Sequence, residues 1–323
     1  MQYQQLGGTG VFVSRLCFGA MTFGGASGSL YEMIGALKQK DADSLIGTCL
    51  DAGVNFFDTA NVYGQGESEV LLGKALGERR KDAVIATKVY SRMGPGVNQV
   101  GSSRLNIIQQ AEESLKRLNT DYIDLYQLHR PDPETPIADT LGALNEFVQA
   151  GKIREIGCSN FTVEQLREAE AAVKPGAARF RSVQNQYSML HREPEQGAPG
   201  QSVLEECARE RLAFLPYFPL ENGLLTGKYR ASEPVPEGSR AKDGFGPKVF
   251  TEQNLARVEK LNTYAQAHGH SLLELAFSWL ASRDVVASII AGAKNPSQVR
   301  ANAAAASWKL TAGELAEIDA LLA

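Results

Sequence analysis

The stretch Asn55-Phe56-Phe57-Asp58, followed after a polar loop by the amphipathic run 68–76, is one copy of the pattern that decides the fold. A short apolar segment rich in aromatic or β-branched residues reads as a buried strand, and a longer run with one apolar face reads as a helix. Seven more strand-like segments occur at 15–18, 83–88, 122–128, 155–159, 181–185, 213–218 and 287–290. Between and after them lie helical stretches at 42–52, 104–118, 137–150, 163–173, 202–211, 251–281 with a break near His268-Gly269, and 296–306. Thr162 with Gln165 is placed like a capping box, Gly53 and Gly151 sit where helices stop, and Pro136 and Pro296 suit first helical turns. Eight strand-then-helix units in strict alternation predict an α/β fold with a parallel sheet, and eight is the number that closes a (β/α)8 TIM barrel. An open doubly wound sheet is the alternative, but Phe18-Gly19-Ala20-Met21-Thr22-Phe23-Gly24 lacks the glycine fingerprint such a sheet shows when it binds a dinucleotide.

Working outward, Gly7-Gly8-Thr9-Gly10 separates two short segments as the turn of an N-terminal β-hairpin would, and 312–322 reads as an extra C-terminal helix. The whole chain, 1–323, is expected to be one barrel domain, with specificity carried by long segments at 24–40 and 219–250 on the face where barrel enzymes place substrates. Lys and Arg total 33 against 37 Asp and Glu, a formal charge of −4, so no basic excess points to nucleic acid. Cys17, Cys49, Cys158 and Cys207 share no metal-ligand spacing, which fits reduced thiols in the cytoplasm. No run approaches 18 uninterrupted apolar residues, so a membrane span is not expected. His268 and His270 flank a glycine between helices, away from the strand ends, and no metal site is expected of them.

Polar side chains at the last position of apolar barrel strands point into one shared mouth. Here Asp58, Lys88, His129, Ser159 with Asn160, and Gln184 hold such positions, and Tyr63 follows Asp58 by five residues. Any one of them alone has an ordinary structural reading as a cap, a solvated charge or a packed residue. Together they form a proton-handling set: Lys88 beside Tyr63 is expected to lower the tyrosine pKa, and Asp58 to keep Lys88 charged and aimed. A tyrosine so tuned can give a proton to a carbonyl oxygen as hydride reaches its carbon, while His129 orients that oxygen.

The sequence 53–64, GVNFFDTANVYG, continued by Gly66-Glu67-Ser68-Glu69, resembles the first signature of the aldo-keto reductase superfamily. Ala86-Thr87-Lys88-Val89, Leu128-His129-Arg130-Pro131-Asp132, Gly157-Cys158-Ser159-Asn160-Phe161, Gln184-Asn185-Gln186-Tyr187-Ser188 and the block 223–229 are similar to its later motifs, in the right order across nearly the whole chain. The likeness is to the bacterial-type enzymes, with similarity to the potassium channel beta-subunit branch. It implies a barrel that binds an extended nicotinamide dinucleotide, NADPH with NADH open, without a Rossmann domain. It implies Tyr63 as general acid, Asp58 and Lys88 as its tuning pair, and His129 as carbonyl orienter.

The same resemblance gives Ser159, Asn160 and Gln184 to the nicotinamide carboxamide, and Tyr217 to stacking on the nicotinamide face. Gly19, Ala20 and Met21 fall where the family's first loop touches the cofactor. Leu220, Gly223, Leu225 and Lys228 belong to its pyrophosphate belt, and Gly292, Lys294, Gln298 and Asn302 to its adenosine end, with Lys294 set for a 2′-phosphate. The chain departs from the pattern at Phe218, Glu221, Ala291 and Ala301. Phe23, Tyr31, Tyr90, Arg130 and Phe161, with Phe245, are expected to line the substrate pocket and to suit a moderately bulky, partly apolar carbonyl compound.

The reaction expected is reduction of an aldehyde or ketone to an alcohol, and the same site run backwards oxidises an alcohol with NADP. Two other readings compete: a Schiff-base aldolase with Lys88 as nucleophile, and a nucleotide-sensing regulatory subunit with little turnover.

Overall fold

The computed structural model describes residues 1–25, 36–229 and 249–322. Tyr31 and Phe245 lie outside the described residues, as do most of the two long segments of the sequence pattern.

The chain begins with an antiparallel hairpin of β1 (Tyr3–Gln5) and β2 (Phe12–Ser14). Its turn is closed by Leu6 N–H donating to Val11 O at 2.8 Å and Thr9 Oγ1 donating to Leu6 O at 2.7 Å. Gly7 takes φ +58°, and a Cβ there would stand 2.4 Å from the Arg181 carbonyl oxygen, so the turn admits glycine alone.

Eight parallel strands follow: β3 (Leu16–Gly19), β4 (Phe56–Asp58), β5 (Val84–Val89), β6 (Ile123–Leu128), β7 (Ile153–Ser159), β8 (Phe180–Gln184), β9 (Ala213–Phe214) and β10 (Ile289–Ala291). They pair in chain order from β3 to β9, and β10 pairs with β3. The remaining seam is closed by backbone hydrogen bonds from Phe214 N to Val285 O (2.8 Å), Ala287 N to Phe214 O (3.1 Å) and Ile290 N to Pro216 O (3.0 Å). These bonds turn the sheet into a barrel. The strand expected over 213–218 is shorter because Pro216 has no N–H for the ladder, and pairing resumes only as a Gln186–Tyr217 bridge.

Side chains of a strand alternate between two faces. Phe18, Phe57, Ile85, Tyr126, Val183 and Phe214 pack outward with the helices in one large core. Cys17, Phe56, Ala86, Leu125, Leu215, Ala287 and Ile290 form a second cluster inside the ring, joined by Leu6 and Val13 of the hairpin. The hairpin is therefore a plug on the N-terminal end of the barrel. Among the described residues, a cavity lies at the opposite, C-terminal end of the strands.

The helices are α1 (Gln39–Asp51), α2 (Glu67–Leu76), α3 (Arg104–Leu118), α4 (Ile137–Gln149), α5 (Val163–Ala171), α6 (Val203–Glu210), α7 (Glu252–Ala267), α8 (Leu272–Ala281), α9 (Pro296–Ala305) and α10 (Ala312–Leu322). The Thr162–Gln165 capping box forms as expected, and Ser202–Glu205 and Ser271–Glu274 repeat it. Such a cap is worth about 1 kcal/mol. The expected break within 251–281 is the joint between α7 and α8, where Ser271 starts the second helix. His270 stacks on Trp308 at 4.2 Å between ring centroids, and Tyr264 donates to Glu317 at 2.8 Å, so this histidine-bearing joint anchors the C-terminal helix. Among the described residues no helix is long and apolar enough to cross a membrane, and no His, Cys, Asp or Glu group of three or more is arranged for a metal.

Candidate active site

Counting by twos from the inner core places the strand-end residues. Phe56 leads to Asp58, Ala86 to Lys88, and Leu125 to Gln127 and then His129, all on the inward face. Parallel register sets them side by side, since Lys88 lies opposite Gln127 and Ser159 opposite Gln184.

Lys88 is fully buried and Asp58 nearly so. The Lys88 ammonium donates to Asp58 Oδ1 at 2.6 Å, to the Thr59 carbonyl at 2.9 Å, and is hydrogen-bonded to Tyr63. Gln184 Nε2 donates to Asp58 Oδ2 at 2.9 Å and Gln127 Nε2 approaches the same oxygen at 3.4 Å, so the carboxylate is held from both sides. Burial acts to lower the Lys88 pKa, but Asp58 and Tyr63 outweigh it and leave the group above its ordinary value. An amine so held is a fixed cation.

Tyr63 opens a short helical turn (Tyr63–Gly66) beyond β4, anchored by its own N–H to Ala60 O at 3.1 Å. Ser68 pins the same loop by donating to Ala20 O at 2.8 Å. The Tyr63 pKa is raised, contrary to the expectation from charge alone. Burial of its hydroxyl pushes it up, Lys88 pulls the other way, and burial prevails. Tyr63 is therefore a phenol at neutral pH.

His129 meets the Tyr63 ring edge-on at 5.8 Å between centroids, and its backbone N–H donates to Val89 O at 2.8 Å. Burial, reinforced by the charges of Lys88 and Arg130, pushes its pKa down to about 3, so the imidazole is neutral. Its Nδ1 is buried with no hydrogen-bond partner among the described residues.

Beside this group stands a polar ladder. Ser159 Oγ donates to Gln184 O at 2.6 Å, Asn160 Nδ2 donates to Ser159 Oγ at 3.1 Å and to His129 O at 3.0 Å, and Tyr217 OH donates to Asn160 Oδ1 at 2.8 Å. Asn160 takes φ +62°, a conformation asparagine tolerates better than most side chains.

These residues border a cavity of about 660 Å³. Asp58, Tyr63, His129, Ser159, Asn160, Gln184 and Tyr217 line one part, with Gly19 and Met21. Leu220, Gly223 and Lys228 line the next part, and Gly292, Lys294, Gln298 and Asn302 the far end. Among the described residues Asp58 is the single carboxylate of this lining and is offset by Lys88 behind it, so Lys228 and Lys294 give the described lining a positive balance. Lys294 N–H donates to Gln298 Oε1 at 2.7 Å, and Asn295 caps α9 by accepting from Gln298 N at 3.0 Å. Gly223 takes φ +96°, a left-handed conformation that favours glycine, and its backbone lies beside the Lys228 ammonium.

Other expected residues lie elsewhere. Ala20 is buried, and its carbonyl holds Ser68; Leu225 is in the core. Phe23 packs on Phe18 at 5.6 Å, and Phe161 on Phe180 at 5.6 Å, so both belong to the core rather than to the cavity wall. The physical reason is the turn that precedes each: the Ala20–Thr22 helical turn for Phe23 and the left-handed Asn160 for Phe161. Tyr90 and Arg130 stack on each other at 4.6 Å without lining the cavity. Among the described residues the cavity lining also takes in Thr22, Val62 and Ser91, with Phe218 as a further aromatic beside Tyr217.

Glu221, a departure from the family pattern, is buried and accepts from Ser188 Oγ at 2.7 Å and Gln186 Nε2 at 3.3 Å. It braces the loop that carries Leu220 and Gly223 from below. Gln127 was legible only through the sheet register. Glu69, also buried, accepts from Thr87 Oγ1 (2.6 Å) and Arg117 Nε (2.7 Å) on the outer face of β5 and has no part in the cavity.

The Aldo/keto reductase family model matches residues 15–323. The chain is similar to a probable voltage-gated potassium channel subunit beta of Arabidopsis thaliana, 36% identical over 94% of this chain and 90% of that protein. It is 35% identical to the aldo-keto reductase YhdN of Bacillus subtilis, covering 100% of this chain and 94% of the relative. Similarity to an L-glyceraldehyde 3-phosphate reductase of Escherichia coli is 31% over 99% and 92% of the two chains.

Proposed function

The chain belongs to the aldo/keto reductase family, and from that premise we propose that it is an NADPH-dependent reductase of aldehydes or ketones, in which Tyr63 is the proton donor. The observation that carries this reading is the buried Lys88–Asp58 pair standing behind the Tyr63 hydroxyl, with a neutral His129 beside it at one end of a cavity whose described lining is positive.

The residues present fit an extended dinucleotide. The cavity volume is in the range of small-molecule and cofactor sites, its lysines suit phosphate groups, and the glycine cradle at 223 admits close approach of an anion to backbone and ammonium. Ser159, Asn160 and Gln184 would hold the carboxamide, Tyr217 would stack on the nicotinamide, Leu220, Gly223 and Lys228 would hold the pyrophosphate, and Lys294 with Gln298 and Asn302 would hold the adenosine end. When bound, the nicotinamide supplies the hydride that a carbonyl carbon accepts. His129 directs the carbonyl oxygen toward Tyr63, which donates its phenolic proton to that oxygen. Lys88, kept cationic by Asp58, stabilises the phenolate so formed, and the site regains its proton from solvent. Run in reverse, the same residues take a proton from an alcohol.

The choice of NADPH over NADH rests on Lys294, a cation at the adenosine end with no carboxylate partner among the described residues. The fixed, protonated state of Lys88 argues against a Schiff-base aldolase, whose amine must be free. The regulatory reading draws on the plant relative's name, and the complete Tyr63, Lys88, Asp58 and His129 set argues for turnover. The buried, unpaired cysteines suit a cytoplasmic setting. Fluorescence titration with NADPH and NADH, followed by a panel of aldehydes, ketones and quinones, tests the proposal. NADPH binding with no oxidation by any of them would favour the regulatory subunit instead.

A further inference from the structure

The loop that leaves β9 runs against the preferences of its own residues. Tyr217, Phe218, Pro219, Leu220, Asn222 and Gly223 all line the cavity. Within this stretch Phe218 takes φ +51°, Glu221 +44° and Asn222 +55°, and Gly223 follows at +96°. For bulky L residues such as phenylalanine and glutamate this left-handed region is unfavourable. A run of such residues persists only where its surroundings hold it.

Glu221 stands between the lining residues Leu220 and Asn222, but its own side chain is buried against the segment that follows β8. The carboxylate accepts from Ser188 Oγ at 2.7 Å and from Gln186 Nε2 at 3.3 Å. The same Ser188 oxygen accepts from the Leu190 and His191 N–H groups, both at 3.1 Å, so its donated proton is the link left for Glu221. Gln186 is itself bridged to Tyr217, where Tyr217 N donates to Asn185 O at 3.1 Å and Tyr187 N to Tyr217 O at 3.3 Å. The base of the loop and its middle are thus fastened to one segment, 185–191. Among the described residues no cation pairs with the Glu221 carboxylate. A buried carboxylate satisfied by neutral donors alone costs stability relative to an apolar side chain. What it secures here is the course of the loop.

We propose that Glu221 is a positioning residue for the dinucleotide: its link to Ser188 holds 218–223 in the left-handed course that preforms one wall of the cofactor site. The inference rests on the cofactor-binding part of the reductase reading. Glu221 acts through Leu220, Asn222 and Gly223, and a loop already in place spares binding the entropy of ordering it.

The test titrates NADPH and adenosine 2′,5′-bisphosphate, a fragment confined to the adenosine end, into the wild type, Glu221→Ala, Glu221→Gln, Ser188→Ala and the Glu221→Ala, Ser188→Ala double variant. Glu221→Ala is expected to raise the NADPH dissociation constant by about tenfold or more, mainly through faster release, while that of the bisphosphate stays within about twofold. Glu221→Gln, whose amide oxygen still accepts from Ser188, should keep most of the affinity. Ser188→Ala should reproduce the loss, and the double variant should be no weaker than the weaker single, because both substitutions break the same link. An NADPH dissociation constant within about twofold of the wild type in Glu221→Ala, an equal loss for both ligands, or a double-variant loss equal to the product of the singles would overturn the proposal. If Glu221→Ala does not fold, Ser188→Ala alone is compared on the two ligands and judged by the first two of these outcomes. A wild type that binds neither NADPH nor NADH would overturn the reductase reading as well.

Discussion

Asp58→Asn isolates the electrostatic heart of the site. The substitution keeps shape and leaves an amide oxygen for Lys88, but it removes the charge that compensates a fully buried ammonium. Deleting one partner of a buried ion pair costs about 3–5 kcal/mol. Unfolding entropy of about 2.1 cal/mol/K per residue over 323 residues is about 0.7 kcal/mol/K. The melting temperature at pH 7 should therefore fall by about 4–7 °C. The pH dependence has a definite sign. In the wild type the folded-state Lys88 pKa lies above the ordinary value, burial being outweighed by Asp58 and Tyr63, so its contribution is complete at neutral pH and is lost only as pH rises through that raised pKa. Without Asp58 burial dominates and the folded-state pKa drops below the unfolded one. Stability then rises with pH across that interval, because the unfolded chain binds the extra proton. The deficit measured by calorimetry or circular dichroism should narrow between pH 7 and pH 10, and the double variant with Lys88→Met should recover much of it. A deficit under about 1 °C, or one that stays constant with pH, would refute the claim that Lys88 is a buried cation held by Asp58.

Two further expectations follow from the same geometry. Because burial keeps Tyr63 a phenol and holds His129 neutral with a pKa near 3, the rate of carbonyl reduction at saturating cofactor should show no break between pH 5 and 8. It should fall only in the alkaline range as the phenol ionises; a break near pH 6.5 would mean that His129 titrates. Lys294→Ala removes a charge-assisted contact worth about 1.5–3 kcal/mol, so the NADPH dissociation constant should rise about 10- to 100-fold with that for NADH changed far less. Equal effects on both cofactors by fluorescence titration would assign Lys294 elsewhere.

The barrel was legible because each strand announced itself by an apolar run and several helices by their caps, and because period-two alternation carries Phe56 to Asp58 and Ala86 to Lys88 without any tertiary information. The gathering of Asp58, Lys88, His129, Ser159 and Gln184 around one cavity follows from that same parity. Parity stops at the strand ends. One left-handed residue at Asn160 sends Phe161 into the core, and the helical turn after β3 does the same to Phe23, so loop aromatics could not be assigned by sequence distance. Pro216 shortened a strand whose apolar run continued past it. The Tyr63 pKa was misjudged because charge is visible in a sequence and burial is not. Gln127 and Glu221 escaped for another reason: the partners that make them matter, Asp58 and Ser188, are 69 and 33 residues away.

The central claim is that Tyr63 delivers the proton and does not hold the cofactor. Tyr63→Phe keeps the ring against His129 and removes the hydroxyl alone. With NADPH and the best carbonyl substrate, kcat/KM should drop by about 100- to 10,000-fold, while the NADPH dissociation constant stays within about twofold of the wild type on the scale where tenfold is 1.4 kcal/mol. Turnover within a few-fold of the wild type would contradict the account.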